Sequence, residues 1–122
     1  MVAINFSERF AGPVERGEKC QTIRRTAKCK PGDKLQIYTG QRTKNCRKLL
    51  DAVCKGVAKV KITRGTLEIS GHVFMSDTAA AFARADGFST FDEMFRWFSD
   101  RYDTQVFEGY VITWDSVRQG EG

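Results

Sequence analysis

The sequence predicts an α+β domain, with a curved or barrelled β-sheet and two or three short helices at one side. Short segments in which polar and apolar residues alternate recur up to Phe74, as is typical of half-buried strands. From Ser76 to Tyr102 the apolar residues recur at helical spacing, and a last alternating segment, Val106–Trp114, follows. The chain lacks the repeated strand–helix–strand order of a parallel nucleotide-binding sheet.

The composition predicts one globular domain, residues 1–122, with 41% hydrophobic and 29% charged residues. The N-terminus has no signal-peptide pattern, and the apolar runs are too short to span a bilayer, so we expect a cytoplasmic protein. The net charge is +5, with basic residues crowded between Arg24 and Lys61 and acidic residues between Asp77 and Asp103. This asymmetry predicts a face that attracts anions, nucleotides and nucleic acid among them.

Strands dominate the first part of the chain. Ala3–Phe6 alternates and predicts a strand, whereas Phe10–Arg16 can form a turn of helix with Pro13 in its first turn. Gly17 suits the left-handed conformation that ends a helix, and Cys20–Arg24 is predicted to be the next strand.

Further strands follow a tight turn at Lys30–Asp33, where proline and glycine occupy turn positions. Leu35–Tyr38 alternates, and β-branched residues predict one or two strands over Ala52–Ile62, with a bulge or bend at Gly56. Two short segments continue the β-rich region: Leu67–Ile69 and His72–Phe74.

Two helices are predicted after this region. Ser76 or Asp77 can cap the first, which runs through Thr78–Arg84 and stops at Gly87. Ser89–Glu93 carries a capping-box pattern and opens the second helix. One face of that helix bears an apolar stripe that we interpret as core: Phe91, Met94, Phe95, Phe98 and Tyr102.

The segment Gly17–Arg25 holds the densest group of reactive side chains: the amine of Lys19, the hydroxyl of Thr22 and two guanidiniums. Lysine can act as a base when its pKa is lowered, and threonine can act as a nucleophile beside a base. Arginine is the usual partner of phosphates and planar polar ligands. Since residues three apart point to opposite faces of a strand, Lys19 can reach Thr22 only from the turn. From these residues alone, an exposed lysine and a strand threonine are the simpler interpretation.

Metal chemistry is not indicated, and we expect neither a metal nor a cofactor. Cys20, Cys29, Cys46 and Cys54 are irregularly spaced, and together with the single histidine, His72, they match no zinc-site pattern. We expect reduced thiols, with a site made of all four cysteines as the less favoured alternative.

Four motifs lie in order along nearly the whole chain: Gly17–Arg24, Gly32–Leu35, Ala83–Phe88 and Gly109–Trp114. They resemble the ASCH domain, a small PUA-like β-barrel associated with RNA, and the G-x-K-x-x-T-I-R element is the most specific of them. One branch of that family consists of small bacterial amidohydrolases that convert N4-acetylcytidine to cytidine and acetate.

This resemblance implies three catalytic residues, Lys19, Thr22 and Asp86, with aspartate in place of the glutamate of the amidohydrolases. Thr22 would attack the acyl carbonyl once Lys19 has taken its proton. Burial or nearby cations would have to lower the pKa of Lys19, and Asp86 would orient the amine or protonate the leaving nitrogen.

The expected partner is a modified pyrimidine nucleoside or RNA. Two alternatives stay open: an RNA-binding module without turnover, which would use Arg24–Arg25 and the basic loop Arg42–Lys48, and an ASCH ribonuclease. A small enclosed pocket would favour the hydrolase, whereas an open basic groove would favour RNA. The residues expected to bind substrate are Gln21, Arg24, Arg25, Tyr38 and Arg42.

Overall fold

The computed structural model describes residues 2–117. Met1 and residues 118–122, the two ends of the predicted domain, lie outside the described residues. The described chain has a mixed α+β fold, as predicted, with a seven-stranded sheet and three helices. In chain order the elements are β1 (Val2–Phe6), α1 (Glu8–Glu15), β2 (Gln21–Arg24), β3 (Lys34–Thr39), β4 (Arg47–Thr63), β5 (Thr66–Ile69), β6 (His72–Phe74), α2 (Asp77–Ala85), α3 (Phe91–Tyr102) and β7 (Phe107–Val117).

Strand β4 organises the sheet because its 17 residues are long enough to pair with three other strands. It runs antiparallel to β3, β7 and β5, while β1 lies parallel to β3. β2 pairs with β7, and β6 pairs with β5. The register between β4 and β7 shifts between Cys54 and Gly56, where the glycine predicted a bulge.

The sheet is not closed among the described residues. The path β1–β3–β4–β7–β2 ends in two strands that no ladder joins. A side chain spans this gap instead, since Nη2 of Arg24 in β2 donates a 2.7 Å hydrogen bond to the main-chain oxygen of Asn5 in β1. A guanidinium therefore occupies the position at which backbone hydrogen bonds would join the two edge strands.

The helices differ from the sequence predictions mainly at their N-terminal ends. Helix α1 begins at Glu8, so Pro13 lies in its second turn and not in its first. The burial of one face of α1 offsets the backbone hydrogen bond that proline cannot donate. Ser76 precedes α2, as predicted, but its side chain makes no capping bond. The capping pattern predicted over Ser89–Glu93 is present, and the capping residue is Thr90, whose Oγ1 accepts the N–H of Glu93 at 3.0 Å.

One apolar cluster holds the sheet and the helices together. Met94, Phe95 and Phe98 of α3 are buried in it, which confirms the central part of the predicted stripe. Phe88, between α2 and α3, packs edge-on against Phe10 of α1, with ring centroids 5.6 Å apart. This contact fixes the α2–α3 connection against the α1–β2 segment. No helix in residues 2–117 has the length and apolar character needed to cross a bilayer.

Candidate active site

Lys19 lies in the connection between α1 and β2, outside the strand. Gly17 adopts a φ of 79°, in the left-handed region that favours glycine. The N–H groups of Glu18 and Lys19 both donate to the carbonyl oxygen of Pro13. This turn frees Lys19 from the alternation of the strand, so Lys19 and Thr22 line the same cavity although they are three residues apart.

A buried ion pair joins Lys19 to Asp86. The Nζ atom lies 3.1 Å from Oδ1 of Asp86 and donates a 2.7 Å hydrogen bond to the main-chain oxygen of the same residue. The two side chains are only 3% and 5% exposed. The shorter carboxylate of aspartate therefore reaches the amine.

Two neighbours support this position of Asp86. Nε2 of Gln21 donates to Oδ1 of Asp86 at 3.2 Å. Gly87 follows Asp86 with a φ of 99°, and a Cβ there would lie 3.0 Å from the ring of Phe10. Glycine therefore allows the α2–α3 connection to approach α1 closely, with the carboxylate directed at Lys19.

The hydroxyl of Thr22 is held by Arg24. Nε of Arg24 donates to Oγ1 of Thr22 at 3.0 Å, while Nη2 donates to the main chain of Asn5. No hydrogen bond joins the amine of Lys19 to this hydroxyl in the described chain. The guanidinium lies beside the oxygen on which negative charge would develop if Thr22 acted as a nucleophile. Arg24 is thus a positioning residue for Thr22.

Burial governs the protonation of the ion pair. It lowers the pKa of Lys19 and raises the pKa of Asp86, while the attraction between the two charges opposes both changes. The positive charge of Arg24 lowers the pKa of Lys19 further. The charged and neutral forms of the pair are therefore closer in energy than they would be in water, which brings Lys19 nearer to the pKa that a general base needs.

The four polar residues Lys19, Thr22, Arg24 and Asp86 line one cavity of about 90 Å³. The rest of the wall was not predicted from the sequence to belong to the site. An aromatic residue and a guanidinium four positions apart on α3 are the signal that could have indicated part of it. The unassigned wall residues are Asn5, Phe6, Ser7, Phe10, Ile23, Phe88, Trp97, Phe98, Arg101 and Tyr102.

Four residues predicted to bind substrate do not line this cavity. Gln21 contacts the buried carboxylate instead, and Arg25 lies with its guanidinium carbon 5.2 Å from the ring centroid of Tyr102. Tyr38 is in β3, where its hydroxyl donates to a glutamine side chain two residues earlier. Arg42 is exposed in the loop between β3 and β4.

Part of the predicted basic loop is neutralised within the protein. Arg47 and Lys48 begin β4 and are strand residues, not loop residues. Nη1 of Arg47 lies 2.8 Å from a carboxylate oxygen of Glu15, and Nζ of Lys48 lies 2.7 Å from one of Asp51. These pairs reduce the positive charge that the segment offers to nucleic-acid phosphates.

In residues 2–117, no group of three or more His, Cys, Asp or Glu side chains is arranged to hold a metal ion. The four cysteines are free thiols. The sulfur atoms of Cys29 and Cys54 lie 3.9 Å apart, and burial, together with Cys54, raises the pKa of Cys29 to about 11. His72 is exposed on β6 and does not line the cavity.

Comparisons of this chain with protein-family models, curated proteins and solved structures found no match. Function is therefore inferred from the cavity and its residues. A hydroxyl held by a guanidinium, an amine with a lowered pKa and a buried carboxylate are suited to acyl transfer.

Proposed function

We propose that this chain is an ASCH-type amidohydrolase with a PUA-like barrel, which removes the acyl group from an N4-acylated cytosine such as N4-acetylcytidine. The observation that carries the proposal is that Lys19, Thr22 and Asp86, all three buried, line one cavity. The side-chain bridge between β1 and β2 supports a barrel whose last strand pair is held by Arg24. A cytoplasmic location stays a prediction.

The first half-reaction transfers the acyl group to Thr22. Transfer of a proton from Nζ of Lys19 to Asp86, across 3.1 Å, leaves a neutral amine. This amine takes the hydroxyl proton of Thr22, directly or through one water, as Oγ1 attacks the acyl carbon. Arg24, which already donates to Oγ1, stabilises the negative charge that develops on Oγ1 as its proton leaves.

Collapse of the tetrahedral intermediate breaks the bond between the acyl carbon and N4. The proton held by Lys19 passes to N4, so the cytosine leaves with a free amino group and Thr22 carries an ester. Water then attacks the ester carbon and gives its proton to Lys19. The ester bond breaks, the proton returns to Oγ1 of Thr22, and the product leaves as a carboxylic acid, which loses its remaining proton to solvent.

The volume and the aromatic walls of the cavity suit the acylated edge of a base. Its volume of about 90 Å³ is well below the range of about 300–1,000 Å³ that is common for sites enclosing a whole small molecule. Its walls include the rings of Phe6, Phe10, Phe88 and Trp97, against which a planar group can pack. We expect the acyl group and the base edge to enter, with the ribose at the mouth.

RNA binding without turnover is the weaker alternative. Arg47 is paired with Glu15 and Lys48 with Asp51, which reduces the positive charge of the surface that an RNA-binding module would use. RNA binding without turnover also assigns no functional role to the buried pair of Lys19 and Asp86. A ribonuclease centred on His72 would lie away from the cavity.

The direct test is deacylation of N4-acetylcytidine by the purified chain, followed by the change in ultraviolet absorbance. Thr22→Val should reduce kcat at least about 100-fold, the scale on which a catalytic proton-transfer partner contributes. Thr39→Val is the matched control, since Thr39 is also a buried strand threonine, with its hydroxyl donating to the main chain of Phe6. It should reduce stability and leave kcat nearly unchanged.

Mass spectrometry supplies a second readout. Wild-type protein quenched in acid during turnover should carry one acetyl group on the peptide that contains Thr22. No turnover by folded wild-type protein on a panel of N4-acylated cytosines would exclude the hydrolase. Equal loss of kcat in Thr22→Val and Thr39→Val would exclude a specific role for Thr22.

A further inference from the structure

The cavity carries more positive charge than a neutral nucleoside requires. Its charged residues are Lys19, Arg24, Asp86 and Arg101, which are three cations and one carboxylate. Asp86 is already occupied by Lys19. Burial is the main cause that lowers the pKa of Arg24, Tyr102 and Asp86 oppose that change, and repulsion by Arg101, which lines the same cavity, adds a smaller lowering. A bound anion would relieve this repulsion.

Arg101 is the cation that is available to such an anion. It lies in the last turn of α3, exposed at the cavity, with its guanidinium carbon 5.0 Å from the ring centroid of Trp97. In the described part of the chain no carboxylate forms an ion pair with it, whereas Arg96 on the same helix lies 2.9 Å from Asp92. Stacking on Trp97 limits the freedom of the guanidinium and leaves its N–H edge for a ligand.

Arg101 is exposed at the cavity, where the part of a bound nucleoside that does not fit inside would lie. Arg24 is turned inward, because its Nε and Nη2 donors are bound to Thr22 and Asn5. The cavity accepts only part of a nucleoside, so the sugar and its substituents remain at the mouth, beside Arg101. A guanidinium edge is the protein group best matched to the oxygens of a phosphate.

We propose that the substrate of this site is an N4-acylated cytosine that carries a phosphate, and that Arg101 binds this phosphate. The inference rests on the proposed function and adds the class of substrate. The phosphate could belong to a mononucleotide or to a nucleic-acid strand, and both sources offer the same oxygens to Arg101. Acylated substrates that differ only in the phosphate distinguish the two.

The experiment compares kcat/KM for N4-acetylcytidine, its 5′-monophosphate, its 3′-monophosphate and a trinucleotide with an acetylated central cytidine. Wild-type protein should prefer at least one phosphorylated substrate about tenfold or more, as expected for a charge-assisted contact. Arg101→Gln should bring this ratio close to one. Arg96→Gln, on the same helix and outside the cavity, should keep the wild-type ratio. Added salt should reduce the ratio in wild-type protein.

Using the ratio of two substrates makes the result independent of the fraction of active protein. Equal kcat/KM for the nucleoside and for every phosphorylated substrate would overturn the proposal. A preference that survives in Arg101→Gln would also overturn it, since the phosphate would then be bound elsewhere.

A binding measurement separates this inference from the proposed function. If no acylated substrate is turned over, calorimetry with cytidine and with cytidine 5′- and 3′-monophosphate remains informative. Binding of a monophosphate that is lost in Arg101→Gln would support the phosphate site while the hydrolase fails. Absence of binding in the wild-type protein would overturn both.

Discussion

Removal of one partner from the buried pair of Lys19 and Asp86 should destabilise the fold far more than removal of both. Each side chain is at most 5% exposed. Lys19→Met leaves an uncompensated carboxylate, and breaking a buried pair in this way costs about 3–5 kcal/mol. Replacement of both, in Lys19→Met/Asp86→Leu, should be neutral or stabilising, because two desolvated charges are removed together. Total stabilities of about 5–15 kcal/mol leave room to measure these differences.

The dependence on pH gives the sign of the effect. Burial raises the pKa of Asp86 above its ordinary value of 3.8, so this group favours the folded state below 3.8 and loses that contribution as the pH rises through its folded value. In Lys19→Met the attraction of the amine is gone, which raises the pKa of Asp86 further. The free energy of unfolding of Lys19→Met should therefore fall further below that of the wild-type protein as the pH rises above 4. The difference should grow by up to about 1.4 kcal/mol per pH unit, until the carboxyl group is ionised.

Asp86→Asn should show the opposite trend. Burial lowers the pKa of Lys19 below 10.5, so its contribution to stability is present above 10.5 and is lost as the pH falls through the folded value. With the carboxylate removed, the pKa of Lys19 should fall further. The difference in free energy of unfolding between the wild-type protein and Asp86→Asn should therefore shrink as the pH approaches 10.5.

Urea unfolding followed by tryptophan fluorescence, between pH 4 and 10, measures these differences. Lys48→Met is the matched control, because Lys48 and Asp51 form a pair whose side chains are 39% and 34% exposed. Its effect should be small and nearly independent of pH over this range, because solvent screens an exposed pair. A deficit of Lys19→Met that is the same at pH 4 and pH 8 would refute the reasoning. So would a double variant whose loss equals the sum of the two single losses.

Three further predictions concern single positions. Thr90→Ala should lower the free energy of unfolding by about 1 kcal/mol, since Glu93 loses its cap, and Thr90→Ser should restore most of it. Gly109→Ala should destabilise by at least about 1–3 kcal/mol in thermal unfolding, because the new Cβ would lie 2.4 Å from the main-chain oxygen of Arg24. The pH profile of kcat/KM on N4-acetylcytidine should rise to a plateau with an apparent pKa below 10.5, as the lowered pKa of Lys19 requires; a limb at or above 10.5 would contradict the role of Lys19 as a base.

Features that depend on neighbouring residues could be predicted from the sequence. The cap at Thr90 and the turn at Gly17 involve contacts within a few positions, so their residue types indicate them directly. The start of β4 could not be predicted in this way. Arg47 has the composition of a loop residue, and its place in a strand depends on pairing with β3 and on Glu15, 32 positions away.

In the candidate site, too, features set by neighbouring residues could be predicted, whereas contacts between distant residues could not. The motif around Lys19 and Thr22 indicated two of the proposed catalytic residues, and the motif near Gly87 indicated the third, Asp86; all three line the same cavity. Arg24, predicted to bind substrate, lines the cavity, and the sequence did not indicate that two of its donors are bound to Thr22 and to the main chain of β1. A local pattern identifies a guanidinium, whereas the group that it contacts depends on how β1 and β2 meet in the fold.

The place where the sheet stays open explains why the cavity is there. A ladder between β1 and β2 would use the carbonyl of Asn5, and Arg24 would then have no main-chain oxygen to bind. With that bond absent, Arg24 would no longer be fixed beside Thr22. The open edge and the buried pair of Lys19 and Asp86 each cost stability at the same cavity. Sequences usually depart from local rules at functional sites, so this coincidence supports the proposal that the cavity, and not the basic loop, is the functional site.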